Sequence, residues 1–107
     1  MSLDVTLTKI IETEVFSANI THNLQDMAMA ARIYDCLWNP ERMGIKTARQ
    51  MTVPLAKGLA WLKSDPDRFK KYDSPNGWGK YDNFVPWIEK YLEACIENPD
   101  AEVSVSR

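Results

Sequence analysis

The sequence predicts an α+β domain in which three main helices and a short one pack on a small antiparallel sheet. Residues 4–20 alternate apolar and polar side chains, as does the tail 101–106, and such alternation is typical of half-buried strands. Between these two segments, apolar residues recur at helical spacing. A short terminal strand is unstable alone, so we expect the tail to pair with the N-terminal strand material and close the sheet.

The N-terminal strand pattern places Val5 and Leu7 on one face, and further along it places Phe16, Ala18 and Ile20 on one face. No strong turn dipeptide separates these two runs. A hairpin and one long bent strand therefore both remain open.

Three amphipathic segments predict the main helices. The first begins at residue 21 or 23, where a Thr or Asn side chain can cap it, and continues to residue 38. The second covers about 47–63, and a short helix with Pro66 in its first turn follows to about residue 72. The third begins at residue 82 or 83 and ends near residue 97.

Length and charge bound the class of protein. The 107 residues predict a single domain, 1–107, and their net charge of −2 gives no strong signal for nucleic acid or anionic membrane. The absence of an apolar run near ~20 residues argues against a membrane span, and the N-terminus lacks a signal-peptide pattern. We therefore expect a cytoplasmic protein whose two cysteines, Cys36 and Cys95, stay reduced and buried.

Thr21, His22 and Asn23 lie where a strand gives way to a helix. Free backbone N–H groups and the dipole at a helix start favour an anion such as phosphate, and His22 could add a donor. The alternative is plain helix capping by Thr21 and Asn23.

Trp38 and Glu41 bracket the dipeptide that ends the first predicted helix. Trp38 could stack on a ring, and Glu41 could accept a hydrogen bond from a ligand. Alternatively, Trp38 only continues the apolar stripe of its helix, and the proline between the two residues is only a helix stop.

The segment Ser74–Tyr81 sets a tryptophan inside a turn, which raises the question of where its indole points. Asn76, Gly77, Trp78 and Tyr81 are candidate ligand-binding residues, because aromatic faces near lysines suit stacked rings and their phosphates. Trp78 either folds back as a plug over the helical core or forms one wall of a pocket.

Catalytic and metal signatures are weak. One histidine and two distant cysteines match no metal-ligand spacing, and no nucleophile or phosphate-loop motif is present. We therefore predict no catalytic residues, no metal and no cofactor, and we do not expect an enzyme.

Three stretches together, Ile20–Glu41, Asn76–Cys95 and Asn98–Arg107, resemble a family of small uncharacterised bacterial and phage or prophage proteins. The resemblance covers most of the chain from Ile20 onward. It implies no particular chemistry, but a phage setting would favour small binding proteins that act on a host system.

Two functions remain open. The first is a non-catalytic binder of a small polar or phosphorylated, nucleotide-like ligand, with the three candidate segments meeting at one end of the helices. The second is a protein–protein interaction module, either a homo-oligomer such as a dimer or a host-protein binder, that uses Trp61 and Trp87 at the edges of their helical stripes.

Overall fold

The computed structural model describes residues 1–9 and 13–107, and it confirms the α+β fold class. Helices lie on one face of a three-stranded antiparallel sheet. The elements in chain order are β1 (Ser2–Thr8), β2 (Glu14–Thr21), a 3-10 helix (His22–Leu24), α1 (Gln25–Ala30), α2 (Tyr34–Trp38), a second 3-10 helix (Pro40–Met43), α3 (Ala48–Ser64), α4 (Pro66–Lys70), α5 (Tyr81–Glu97) and β3 (Glu102–Ser106).

The strands are arranged in the order β2-β1-β3, so β1 is central. β1 pairs antiparallel with β2, which resolves the open choice in favour of two separate strands over one long bent strand. The tail strand β3 pairs with the other edge of β1, with Asp4 opposite Ser106, as the alternation predicted. Leu3, Val5 and Leu7 have no exposed surface, so one face of β1 belongs wholly to the core.

The core lies between this face of the sheet and helices α3 and α5, which pack against each other. The ring of Phe16 on β2 stacks on Tyr91 of α5, with centroids 5.7 Å apart and ring planes 6° from parallel. This contact fixes α5 over β2. The Tyr91 hydroxyl is buried as well, and burial raises its pKa well above the ordinary value.

The start of α3 is joined to the turn before β3 by main-chain hydrogen bonds. The N–H groups of Ala48 and Arg49 donate to the carbonyls of Ala101 and Pro99, each at 2.9 Å. These are among the N–H groups that a helix leaves unpaired at its N-terminus. The last strand therefore holds both β1 and the second main helix in place.

The first predicted helix is not continuous, and this corrects the expectation for residues 21–38. It ends after Ala30, and Arg32 takes a left-handed conformation with φ 60°. Its N–H donates to Met29, and the N–H of Ile33 donates to Ala28, which is the bonding of a Schellman ending. Such endings usually carry glycine, and an arginine in that position gave no stop signal in the sequence.

Ile33 explains why the chain turns there. Its side chain is buried and presses on Gly58 in the middle of α3. A Cβ built at position 58 collides with Cγ2 of Ile33, so the segment after the break can approach α3 only where α3 has no side chain. Glycine weakens an exposed helix, but here it permits a close contact.

Cys36 and Cys95 are both free thiols inside the core. Burial raises the pKa of each thiol to about 12, which keeps both sulfurs protonated and poorly nucleophilic near neutral pH. Among the described residues, no helix is both long enough and apolar enough to cross a membrane.

Substituting Gly58 tests the close contact with Ile33. We expect Gly58→Ala to lower the free energy of unfolding by about 1–3 kcal/mol, because overpacking outweighs the better helix propensity of alanine. The measurement is urea denaturation followed by far-UV circular dichroism.

The control is the same substitution in an Ile33→Ala background, where the colliding carbon is gone. There, Gly58→Ala should be neutral or stabilising. Equal destabilisation in both backgrounds would show that Ile33 is not the constraint.

Candidate functional site

The turn at the end of β2 is held by its own side chains. Oγ1 of Thr21 accepts a hydrogen bond from the backbone N–H of Asn23 at 3.2 Å. The helix that starts here is only the three-residue 3-10 turn His22–Leu24, followed by the six residues of α1. The long helix start that supported an anion site is therefore absent from this part of the chain, and the capping alternative describes Thr21.

The loop between α4 and α5 is ordered around one side chain. Oδ1 of Asn76 accepts hydrogen bonds from Oγ of Ser74 at 2.6 Å and from the N–H of Trp78 at 2.9 Å. Gly77 and Gly79 have φ values of 81° and 105°, which residues with a Cβ rarely adopt. The loop is thus a defined turn whose backbone direction is set on both sides of Trp78.

This loop docks on the turn at the end of β2, from which it is far removed in the sequence. Nδ2 of Asn23 donates to the carbonyl of Trp78 at 2.9 Å. Gly79 lies against the same turn, since a Cβ there would be 3.0 Å from Cβ of Asn23 and 3.2 Å from Cγ2 of Thr21. Two of the three candidate segments therefore meet, and the side chains of Asn23 and Thr21 contact the backbone of the loop.

The indole of Trp78 points away from the core and is 70% exposed. The plug alternative is therefore wrong. An exposed indole leaves apolar surface in contact with water, so it is available to another molecule. The docked loop thus presents Trp78 as a wall rather than as a core residue.

An open groove of about 610 Å³ lies beside this wall; we call it the β2 groove. It separates the end of β2 from the Gly77–Gly79 loop and the first turns of α5. Its lining combines apolar surfaces with amide and hydroxyl groups from Ser2, Asn19, Thr21 and Asn83. The complete lining is Met1, Ser2, Asn19, Ile20, Thr21, Leu24, Gly77, Trp78, Gly79, Asn83 and Trp87.

A second groove, of about 440 Å³, is called here the Lys71 groove. It is bordered by the β2 turn and by the chain that leaves α4. It carries one lysine but also two carboxylates, so its charges are mixed. The lining residues are His22, Asn23, Gln25, Asp26, Lys71, Tyr72, Asp73, Ser74 and Pro75.

Two aromatic candidates are inside the core. Trp38 is 1% exposed, with its ring stacked on Tyr34 at 5.3 Å and in edge contact with His22 at 6.0 Å. Tyr81 is buried, and its hydroxyl donates to the carbonyl of Leu62 at 2.8 Å. Neither ring has a face free for a ligand, because each lies on the apolar side of its helix and packs in the core.

Glu41 has a structural partner. Its carboxylate lies 2.9 Å from Nη2 of Arg107, whose other terminal nitrogen donates to the carbonyl of Trp38 at 2.7 Å. A hydrogen bond from the main chain of Glu41, and then the bond from Arg107, lower the pKa of this carboxyl. Glu41 therefore ties residue 107 to the end of α2 and lines neither groove.

The structure thus divides the candidates. Thr21, Gly77 and Trp78 line the β2 groove, while His22 and Asn23 line the Lys71 groove. The sequence did not single out Asn19 or Asn83 as site residues. Asn19 occupied the polar side of a strand pattern, and Asn83 was a possible helix start, so neither had a distinguishing signal.

No family model, curated protein or solved structure matches the chain. Within the described residues, no group of three or more His, Cys, Asp or Glu side chains is placed to hold a metal ion.

The two loop glycines form a matched pair that tests the docking contact. Gly77→Ala and Gly79→Ala both place a Cβ at positive φ, but only the second also meets the β2 turn, because nothing lies within 4 Å of position 77. We expect Gly79→Ala to speed amide hydrogen exchange in residues 74–79 at least fivefold more than Gly77→Ala does. The measurement is exchange followed by mass spectrometry, and equal effects would show that the loop does not depend on that contact.

Proposed function

We propose that this chain is a non-catalytic binding protein for a small polar, nucleotide-like ligand held in the β2 groove. The observation that carries the proposal is Trp78, whose indole is 70% exposed while its main chain is fixed by Asn76 and Asn23. A main chain that is already fixed lowers the conformational cost of presenting the indole to a second ring.

The polar side chains that line the groove suit the edge of such a ring. Asn19 and Asn83 each supply an amide that both donates and accepts hydrogen bonds, and Thr21 supplies a hydroxyl. Together with the indole, these groups offer one stacking face and several convergent polar contacts, as small-ligand sites do. Amides and hydroxyls do not titrate near neutral pH, which supports binding rather than acid–base catalysis.

The proposal that the ligand carries a phosphate has weaker support. Lys80 is exposed and directly follows Gly79 in the docked loop, so it is the cation nearest in sequence to Trp78, although it does not line the groove itself. The Lys71 groove is a poorer phosphate site, because Asp26 and Asp73 line it together with Lys71. We therefore place the phosphate of the ligand on the Lys80 side.

The resemblance to a bacterial and phage or prophage family belongs to the same proposal. A small protein that holds a nucleotide without consuming it would lower the free concentration of that nucleotide in a host cell. We propose this sequestering role on the joint basis of the groove and the family resemblance.

Trp78 gives the direct test of the ligand site. The protein as purified from cells is first examined by native mass spectrometry. A panel of nucleosides and their 5′-phosphates is then titrated into it, and binding is measured by isothermal titration calorimetry. We expect Trp78→Ala to weaken binding about 5- to 150-fold, because stacking on an aromatic ring contributes about 1–3 kcal/mol per base. Trp78→Phe should retain most of the affinity.

The control is Tyr72→Ala, which removes another exposed ring but from the Lys71 groove. The affinity of Tyr72→Ala for the ligand should match that of the parent protein. Unchanged binding by Trp78→Ala, or absence of binding by every ring-containing probe at millimolar concentration, would overturn the proposal. Equal affinity for nucleoside and nucleotide would remove only the phosphate contact.

An interaction module is the second candidate function, and one surface favours it. A groove on α3 exposes Val53 and Met43 beside the half-buried ring of Trp61. The guanidinium groups of Arg32 and Arg68 lie 5.1 and 5.5 Å from the centroid of that ring. An apolar surface with a basic border would suit an acidic protein partner.

Trp61→Asp tests this second function. If the Trp61 surface is an interface, the substitution should dissociate the complex, since it puts a carboxylate into an apolar contact. Size-exclusion chromatography with light scattering reports the loss, and Ala60→Asp on the exposed side of the same helix is the control. A complex that survives Trp61→Asp does not use this surface.

A further inference from the structure

β2 is an edge strand whose outer side is open. At the opposite edge of the sheet, the N–H of Val103 on β3 donates to the carbonyl of Lys46 at 2.9 Å, so that edge is partly covered. In the described part of the chain, no such main-chain bond reaches the outer side of β2. An open edge of this length is a template for another strand.

The ladder with β1 shows which groups face outward. The N–H of His22 donates to the carbonyl of Met1, next to the pair Ser2 and Thr21. Bonded and non-bonded pairs alternate in an antiparallel ladder. Ile20, Ala18 and Phe16 therefore bond to β1, whereas Ser17, Asn19 and Thr21 turn their N–H and C=O groups to the open side.

The sequence of β2 is complementary to itself in one register. A twofold axis at Ala18 places Ser17 opposite Asn19, and it places Phe16 opposite Ile20 on the core face. The outward groups of Ser17 and Asn19 then bond to each other, and the small Ala18 occupies the close, non-bonded position at the axis. Both the hydrogen bonds and the apolar side chains find matching partners.

Neighbouring registers of the same pairing give poorer matches between facing side chains. An axis at Ser17 leaves Ile20 facing the Glu14 end of the strand, beyond its register shift, and an axis at Asn19 leaves Phe16 facing the 3-10 helix that begins at His22. Glu14 is the only charged residue of the strand, and it lies beyond a register shift in the pairing with β1, away from the axis at Ala18. From Val15 to Thr21 the strand has no charge and no proline, the usual protections of an exposed edge.

We propose that two copies of this chain associate through β2 about a twofold axis at Ala18 and form one continuous six-stranded sheet. The partner is a second copy because the match is between the strand and itself. The partner's Val15–Ser17 would run beside Asn19–Thr21 and border the β2 groove. The dimer does not depend on the proposed ligand, and it is tested without ligand.

The first test places charge at the axis. In the proposed register the two copies of Ser17 are diagonal neighbours, so S17K sets two like charges close together and should weaken dimerisation at least tenfold. S104K is the matched control, since Ser104 is an exposed serine on the other edge strand. Analytical ultracentrifugation at concentrations on the order of 1 to 100 µM gives the dissociation constants. Melting temperatures of the variants check that they fold.

The second test reads the register directly and remains informative if S17K fails to fold. A18C places two thiols opposite each other in a close pair, and oxidation with diamide should cross-link the two copies. V105C is its control, because Val105 is half-buried on the core face of the other edge strand. The native thiols are buried.

A dimer that S17K dissociates and A18C cross-links supports the proposal. A parent protein that stays monomeric throughout the concentration range overturns it, as does equal cross-linking of A18C and V105C. Dissociation by Trp61→Asp without dissociation by S17K would assign the contact to the α3 surface and overturn it as well.

Discussion

The pairing of β1 on both of its edges is the constraint on which the rest of the structure depends. β1 joins β2 to β3, and its Leu3, Val5 and Leu7 fill the floor of the core. Each such buried side chain contributes about 1.5–3 kcal/mol relative to exposure. Through β3 the same strand fixes the start of α3, and through β2 it fixes the turn on which the Trp78 loop rests. The position of the candidate site is therefore set by the sheet.

The contact between turn and loop is small in energy but specific in direction. One neutral hydrogen bond contributes a net of about 0.5–1.5 kcal/mol, so the bond from Asn23 to Trp78 could not order the loop alone. Asn76 first defines the turn, and Gly79 then permits it to approach the end of β2. The result is a tryptophan whose main chain is fixed by two asparagine side chains and whose indole lies in solvent.

The sequence was informative where one physical pattern dominated and silent where contacts distant in the chain decided. Strict alternation predicted the sheet that joins the two ends, and the stripe on α5 predicted that helix within a residue or two. The break at Arg32 was missed, because its cause is the approach of Ile33 to Gly58. The direction of Trp78 could not be read from the sequence, because a turn has no apolar periodicity. Spacing also left the role of Trp38 open, since apolar residues at helical spacing fit a core and a ligand wall equally.

The pairing of Asp4 with Ser106 also has a consequence for how the chain is made. β3 follows β1 after most of the 107 residues, so it is synthesised roughly 5–20 s after β1 at ordinary rates of elongation. During that interval β1 has only β2 as a partner, and an isolated two-stranded hairpin is marginally stable in water. The three-stranded sheet can therefore be completed only after β3 has been synthesised.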